Sequence, residues 1–160
     1  MKWRVSVGLL VVALLGAAGW FLYRTELPQA GPAAVSGPTV SLGGVSLRVE
    51  LATTPAEREK GLGGRADIPE DYGMLFVFPK DDLYGFWMKD TLVPLDMFWI
   101  DSKGQVVSIA QDVATSSFPH VFYPSAPALY VLETKAGFAR RRGIRAGMRF
   151  LLKNIPIVSE

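Results

Sequence analysis

From Val45 the apolar residues Val45, Leu47, Val49 and Leu51 alternate with Ser46, Arg48 and Glu50, the period of a strand with one buried face. Gly43-Gly44 stands just before that run, where a two-residue hairpin turn belongs, so a hairpin opens the folded region. The pattern then changes at Thr54-Pro55-Ala56-Glu57-Arg58-Glu59-Lys60-Gly61. Thr54 is placed as N-cap, Pro55 at the first helical position, Glu57 three residues after the cap and Gly61 at the end, which predicts a short helix. Short apolar runs bounded by Gly, Pro or Asp predict further strands at residues 74–78, 85–89, 97–100, 105–110, 128–133 and 148–152. A second short helix is predicted over residues 137–142, closed by Gly143. Many short strands with two short helices predict an α+β, mainly β domain: an antiparallel, barrel-like sheet.

A different pattern precedes that domain. Residues 5–23 are 19 consecutive residues without a charge, flanked by Lys2 and Arg4 on one side and Arg24 on the other. As a helix they would rise roughly 28 Å, close to the thickness of a bilayer's hydrocarbon core. Residues 1–24 therefore read as an N-terminal transmembrane helix, with Trp20 and Tyr23 placed as interfacial aromatics. A signal peptide cleaved after the small residues Gly16-Ala17-Ala18 is the alternative. Either way the charges at Lys2 and Arg4 favour a cytoplasmic N-terminus and an extracytoplasmic domain. Residues 25–39, rich in Pro, Gly, Ala and Ser without apolar periodicity, read as a flexible linker, and residues 40–160 as the folded domain.

Charge changes the picture once it is divided at that boundary. The sequence pI is near 9.0, yet three of the 17 Lys and Arg flank the apolar segment. That leaves 14 against 15 Asp and Glu, a net of −1 for residues 25–160. A nucleic-acid partner gains no support from such a balance. There is no Cys and one His, His120, so thiolate chemistry is absent and zinc ligation or a Ser-His-acid triad is poorly supplied. Asp67, Glu70 and Asp71, or Asp81 and Asp82, lack the spacing of a calcium loop and read as solvated turn acids. Nothing in the sequence requires a cofactor or a metal.

The candidate chemistry concentrates in Gly85-Phe86-Trp87-Met88-Lys89-Asp90-Thr91-Leu92-Val93-Pro94-Leu95-Asp96, where aromatic residues adjoin ionisable groups of both signs. On an extended backbone Phe86 and Met88 face one side, and Trp87 and Lys89 the other. Arg58 in the capped helix and Arg65 after the Gly61-Leu62-Gly63-Gly64 turn supply guanidinium groups. These could grip a carboxylate, a phosphate or sugar hydroxyls, or pair internally with Asp96 or Glu133. The basic group Arg140, Arg141, Arg142, Arg145, Arg149 and Lys153 is explained by the dipole at a helix C-terminus, with an anionic partner as the alternative.

Read in order, Glu57-Arg58, Gly61-Leu62, Arg65, Gly73-Met74-Leu75-Phe76-Val77-Phe78, Phe86-Trp87-Met88-Lys89, Thr91, Pro94-Leu95-Asp96 and Val131-Leu132-Glu133 with Gly137 resemble the domain of unknown function 192 (DUF192) family. The resemblance spans about residues 42–152 and implies a small, mostly β domain, often exported or membrane-anchored, with no established biochemical activity. Two positions depart from that family's pattern: Gly63 stands where Met is usual, and Asp90 where Asn is usual. The second exchange replaces a group that donates and accepts with one that, ionised, only accepts.

These observations together predict a membrane-tethered, extracytoplasmic binding domain. Its candidate ligand-binding residues are Arg58, Arg65, Trp87, Lys89, Asp90, Asp96 and Glu133, and its ligand is a small polar or anionic molecule or an envelope protein. Two alternatives stay open: a cell-envelope hydrolase or lyase using Asp90 or Asp96 with Lys89 or Glu133, and an assembly or scaffold protein.

Overall fold

The computed structural model describes residues 37–42 and 44–158. The transmembrane or signal segment and nearly all of the linker expected from the sequence lie outside them. Among the described residues no helix is long and apolar enough to cross a membrane.

Among the described residues seven strands form one sheet: β1 (Thr39–Leu42), β2 (Val45–Ala52), β3 (Tyr72–Asp82), β4 (Leu95–Ile100), β5 (Val106–Val113), β6 (Ala128–Lys135) and β7 (Leu151–Lys153). Their order is β5-β4-β6-β3-β2-β1-β7. The two ends of that order meet at one rim. Gln105 and Arg149 form a bridge, and the N–H groups of Val106 and Phe150 donate to Met148 and Gly104 carbonyls at 2.8 Å. The sheet is thus curled into a half-barrel. Two short helices complete it, α1 (Pro55–Lys60) and α2 (Phe138–Arg142).

The expected hairpin is present, with Val40 opposite Leu47 and Leu42 opposite Val45. The expected all-antiparallel sheet is not: β2 and β3 run parallel, Val49 opposite Gly73 and Leu51 opposite Leu75, so the sheet is mixed. The reason lies in the connection. A parallel pair requires a crossover of a dozen or more residues, usually helical, and the segment between β2 and β3 holds α1.

The first helix forms where its capping residues stand. Thr54 has an extended backbone and its hydroxyl accepts from Glu57 N at 3.2 Å. The Glu57 carboxylate accepts in return from the N–H groups of Thr54 and Thr53 at 2.9 and 2.8 Å. Those backbone donors, Thr54 first, hold the Glu57 carboxyl down at about 2, because they stabilise the ionised form. Thr54→Ala is expected to lower the unfolding free energy by about 1 kcal/mol. Urea denaturation would check it, with an unchanged midpoint as the contrary result.

Residues 85–89, predicted as a strand, make no ladder. Phe86 alone forms a bridge, exchanging N–H···O bonds of 2.9 and 2.7 Å with Phe122. The three central strands β4, β6 and β3 already have neighbours on both edges, so this segment lies across a sheet face instead. Its alternation survives through packing: Phe86 and Met88 are buried, Trp87 and Lys89 exposed.

Burial on both faces explains the near-continuous apolar runs of the central strands. One cluster holds Leu47, Val49, Leu75, Val77, Phe98 and Leu132, under Phe138 and Ala139 of α2. The other holds Met74, Phe76, Met97, Trp99 and Val131, under Leu62, Ile68, Phe86 and Met88. The second face positions the candidate site.

Candidate functional site

A cavity of about 310 Å³ opens on that second face. One wall is α1 and the turn after it, with Arg58, Glu59, Lys60 and Leu62; the opposite wall is the 84–91 segment, with Tyr84, Phe86, Trp87, Lys89 and Thr91. Phe76 and Phe78 of β3 and Glu133 of β6 complete the lining. An adjoining depression is lined by Ala56, Gly63, Gly64 and Asp90 and shares Glu59, Lys60 and Lys89 with the cavity. Charged side chains therefore stand on the ridge between the two.

Glu133 is the unusual group. Strand alternation puts it on the face of Val131, and its register neighbours are Met74 of β3 and Met97 of β4. It is 4% exposed, and no hydrogen-bond donor or cation among the described residues engages its carboxyl. Burial alone pushes that carboxyl up to about 8, because an apolar surround disfavours the charged form. At neutral pH it is mainly a neutral acid.

Aromatic rings surround the site. Phe76 meets Phe86 edge-on at 4.8 Å, Phe78 stacks on Tyr84 at 3.5 Å, and Phe78 meets Phe86 at 6.4 Å. Arg58 belongs to this wall but is occupied. Its Nη1 donates to the carbonyls of Thr53 and Val77, and its guanidinium lies 5.1 Å from the Phe78 ring centre. Lys89 pairs with Glu59 at 3.2 Å on an exposed surface, an arrangement of small net energy, and lies 5.7 Å from the Trp87 ring centre. Trp87 is 41% exposed and meets Phe118 edge-on at 6.1 Å.

The structure thus brings Arg58, Trp87, Lys89 and Glu133 to one cavity and places Asp90 beside Lys89 in the adjoining depression. Asp90 holds a positive φ of 56°, and its carbonyl accepts from Gly64 N at 2.9 Å. Arg65 lines neither hollow. It donates to Glu50 Oε2 at 2.7 Å and to the Tyr72 hydroxyl at 2.9 Å, while that hydroxyl donates to Glu50 as well. The Tyr72 and Arg65 hydrogen bonds hold the Glu50 carboxyl below its ordinary range. Burial first, then the bond to Glu50, pushes the Tyr72 hydroxyl up to about 12.

Asp96 faces the opposite side of the sheet. It is fully buried with the α2 cluster, and its two oxygens accept from the N–H groups of Asp112 and Ala139 at 2.7 and 2.8 Å. Of the acids weighed for calcium, three are separate ion-pair partners: Asp67 with Lys135, Glu70 with Arg141, Asp71 with Arg48. Among the described residues no group of three metal-ligating side chains gathers.

Lys60, Phe76, Phe78, Tyr84, Phe86 and Thr91 line the cavity without having been singled out as ligand residues. A signal for the aromatic ones is present in the sequence, since Phe76 and Phe78, and likewise Tyr84 and Phe86, stand two apart and so share a side.

The solved structures to which this chain is similar share the fold. One is a protein of Sinorhizobium meliloti 1021 described as a "putative transcription regulator", at 36% identity and a TM-score of 0.66, covering 72% of this chain and 91% of its own. Another is a protein of unknown function from Novosphingobium aromaticivorans DSM 12444, at 34% identity and a TM-score of 0.65, covering 77% and 94%. No curated protein matches the chain. The model of the DUF192 family, described as an uncharacterized ACR, matches residues 39–152, the stretch that holds the sheet, both helices and the cavity, and the chain belongs to that family.

Proposed function

We propose that this is a membrane-tethered, extracytoplasmic binding domain that takes a small polar or anionic ligand into the cavity between α1 and the 84–91 segment. The observation that carries the reading is Glu133. A buried carboxyl without a partner is costly, and here it lines a hollow instead of packed core. A bound molecule offering a hydrogen bond would satisfy it. The aromatic walls supply apolar contact and Lys60 and Lys89 supply positive charge, the combination of aromatic wall and convergent polar groups that orients a ligand. The tether rests on the uncharged run of residues 5–23 and the cationic residues before it.

A second reading, a hydrolase or lyase of envelope carbohydrate, draws on the same residue. A carboxyl raised to about 8 is in the protonation state of a general acid. Binding is the better supported of the two, because the acid that accompanies Glu133 in the lining is Glu59, which is already paired with Lys89.

The test is retention. Full-length protein, immobilised in detergent, is exposed to a small-molecule extract of the source organism's envelope beside the variant Thr91→Trp, which puts an indole into the cavity's lining in order to fill it. The wild type is expected to retain polar compounds that the filled variant loses. Identical retention by both proteins would overturn the reading.

A further inference from the structure

Resting on the binding reading above, we propose that the cavity's ligand is a zwitterion, entering with an ammonium group that seats on Glu133 and leaving an acidic group at the mouth between Lys60 and Lys89. The two ends of the cavity differ in chemistry. At its buried end stands the Glu133 carboxyl, 4% exposed, set between Met74 and Met97 in a lining that also holds Phe76 and Phe86. An ammonium offers that carboxyl both an opposite charge and N–H donors, and such charge-assisted bonds are about twice as strong as neutral ones. The π-faces of aromatic rings attract a desolvated cation as well. Among the described residues no cation pairs with Glu133: Arg58, the guanidinium in the wall, is spent on the Thr53 and Val77 carbonyls and on Phe78.

The mouth has the reverse character. Lys60 and Lys89 stand on the ridge shared with the adjoining depression, where Glu59 is the one carboxylate that also lines the cavity and Asp90 lies on the depression's side. Glu59 and Lys89 form an exposed pair, which an incoming phosphate or carboxylate displaces at little cost. A ligand with an anion alone would contact the mouth and leave Glu133 without a partner. A ligand with a cation alone would satisfy Glu133 and meet positive charge on the way in. One molecule with an amine at one end and an acid at the other answers both. The volume of about 310 Å³ lies at the lower limit of ligand pockets, which suits a short aminated phosphate, an amino acid or an aminated sugar acid.

Three probes cut from one skeleton separate the ends: phosphoethanolamine, ethylamine and ethyl phosphate, each titrated calorimetrically into the full-length protein in detergent near neutral pH. Phosphoethanolamine is expected to bind about tenfold or more tighter than either half, and to release a proton in doing so, since the ammonium favours ionised Glu133. Glu133→Gln, a neutral side chain of the same shape, is expected to weaken phosphoethanolamine and ethylamine about tenfold and to leave ethyl phosphate unchanged. The double variant Lys60→Met, Lys89→Met should do the opposite. Ethyl phosphate binding as tightly as phosphoethanolamine, with both indifferent to Glu133→Gln, would overturn the zwitterion while leaving a binding cavity in place. Binding of none of the three would overturn it too, whereas the cavity as a binding site falls only if the filled Thr91→Trp variant retains what the wild type retains.

Discussion

Asp96→Ala is expected to lower the unfolding free energy by roughly 3–5 kcal/mol, a loss large enough to unfold many domains of this size. Asp96 is fully buried, and each carboxylate oxygen holds a backbone N–H that nothing else would take. Oδ1 accepts from Asp112, where the β4–β5 register shifts between Leu95 and Met97 and the chain turns through a positive φ of 51°. Oδ2 accepts from Ala139 in the first turn of α2, whose N-cap, Gly137, has no side chain to offer. One residue in β4 thus caps a helix 43 positions away and holds a bulge in the neighbouring strand. Alanine would orphan both donors, one of them deep in the core. Asp96→Asn keeps the shape and one acceptor but turns an amide NH₂ toward a donor, and about half the loss is expected. Urea unfolding measures the total, and hydrogen exchange at the α2 amides shows whether the helix loosens first. A loss under about 1 kcal/mol for the alanine variant, within the range of an ordinary surface change, would contradict this role.

The contrast between Asp96 and Glu133 marks how far the sequence could be read. Both are acids in apolar strands, and from sequence they are equivalent candidates for one pocket. Strand alternation assigns each a face only relative to its own neighbours. Which face of β4 matches which face of β6 depends on the register that sets Asp96 opposite Thr134 and Met97 opposite Glu133, and register is a property of two strands, not one. The same limit explains the missed parallel pair. Thr54, Pro55, Glu57 and Gly61 announce α1 because a capping box is complete within four residues, and the first hairpin shows because its turn is local. The direction in which β3 returns along β2 is decided by contacts more than 20 residues apart. A helix signal between two strand signals was nonetheless the available clue to a crossover.

Residues 85–89 show a subtler limit. Their alternation predicts two sides, Phe86 with Met88 and Trp87 with Lys89, and those sides are present, one buried and one exposed, without the ladder that a strand implies. Period two reports an extended backbone lying on an apolar surface, and a segment laid across a sheet face satisfies that as well as a paired strand does. The distinction matters for function. A strand there would have closed the sheet, whereas a segment lying over the face leaves, between itself and α1, the hollow that Glu133 lines.

The stability of this protein is expected to fall as pH rises from about 4.5 to about 8, by an amount that Glu133→Gln removes. Unfolded, the Glu133 carboxyl titrates near its ordinary 4.5; folded, burial holds it up at about 8. Between those values the folded protein keeps a proton that the unfolded chain has released. Raising the pH therefore favours unfolding, with a slope of up to about 1.4 kcal/mol per pH unit from this group. Below 4.5 both states are protonated and the group costs nothing; above 8 both are ionised and the full penalty, on the order of 5 kcal/mol, is present. The carboxyls of Glu50, Glu57 and Asp67 are shifted the other way by their hydrogen bonds and add stability that disappears on acidification. Because they are common to both proteins, they cancel when wild type and Glu133→Gln are compared at each pH. The variant is expected to match the wild type below pH 4.5, to overtake it progressively through the window, and to exceed it by several kcal/mol above pH 8, as read from urea midpoints. Parallel curves would show that Glu133 finds a partner in the fold, and the argument for an ammonium in the cavity would lose its foundation. A bound ammonium predicts the complementary result, since a ligand that pairs with ionised Glu133 returns the missing stability above all at high pH, where the carboxylate is already charged and waiting for a cation.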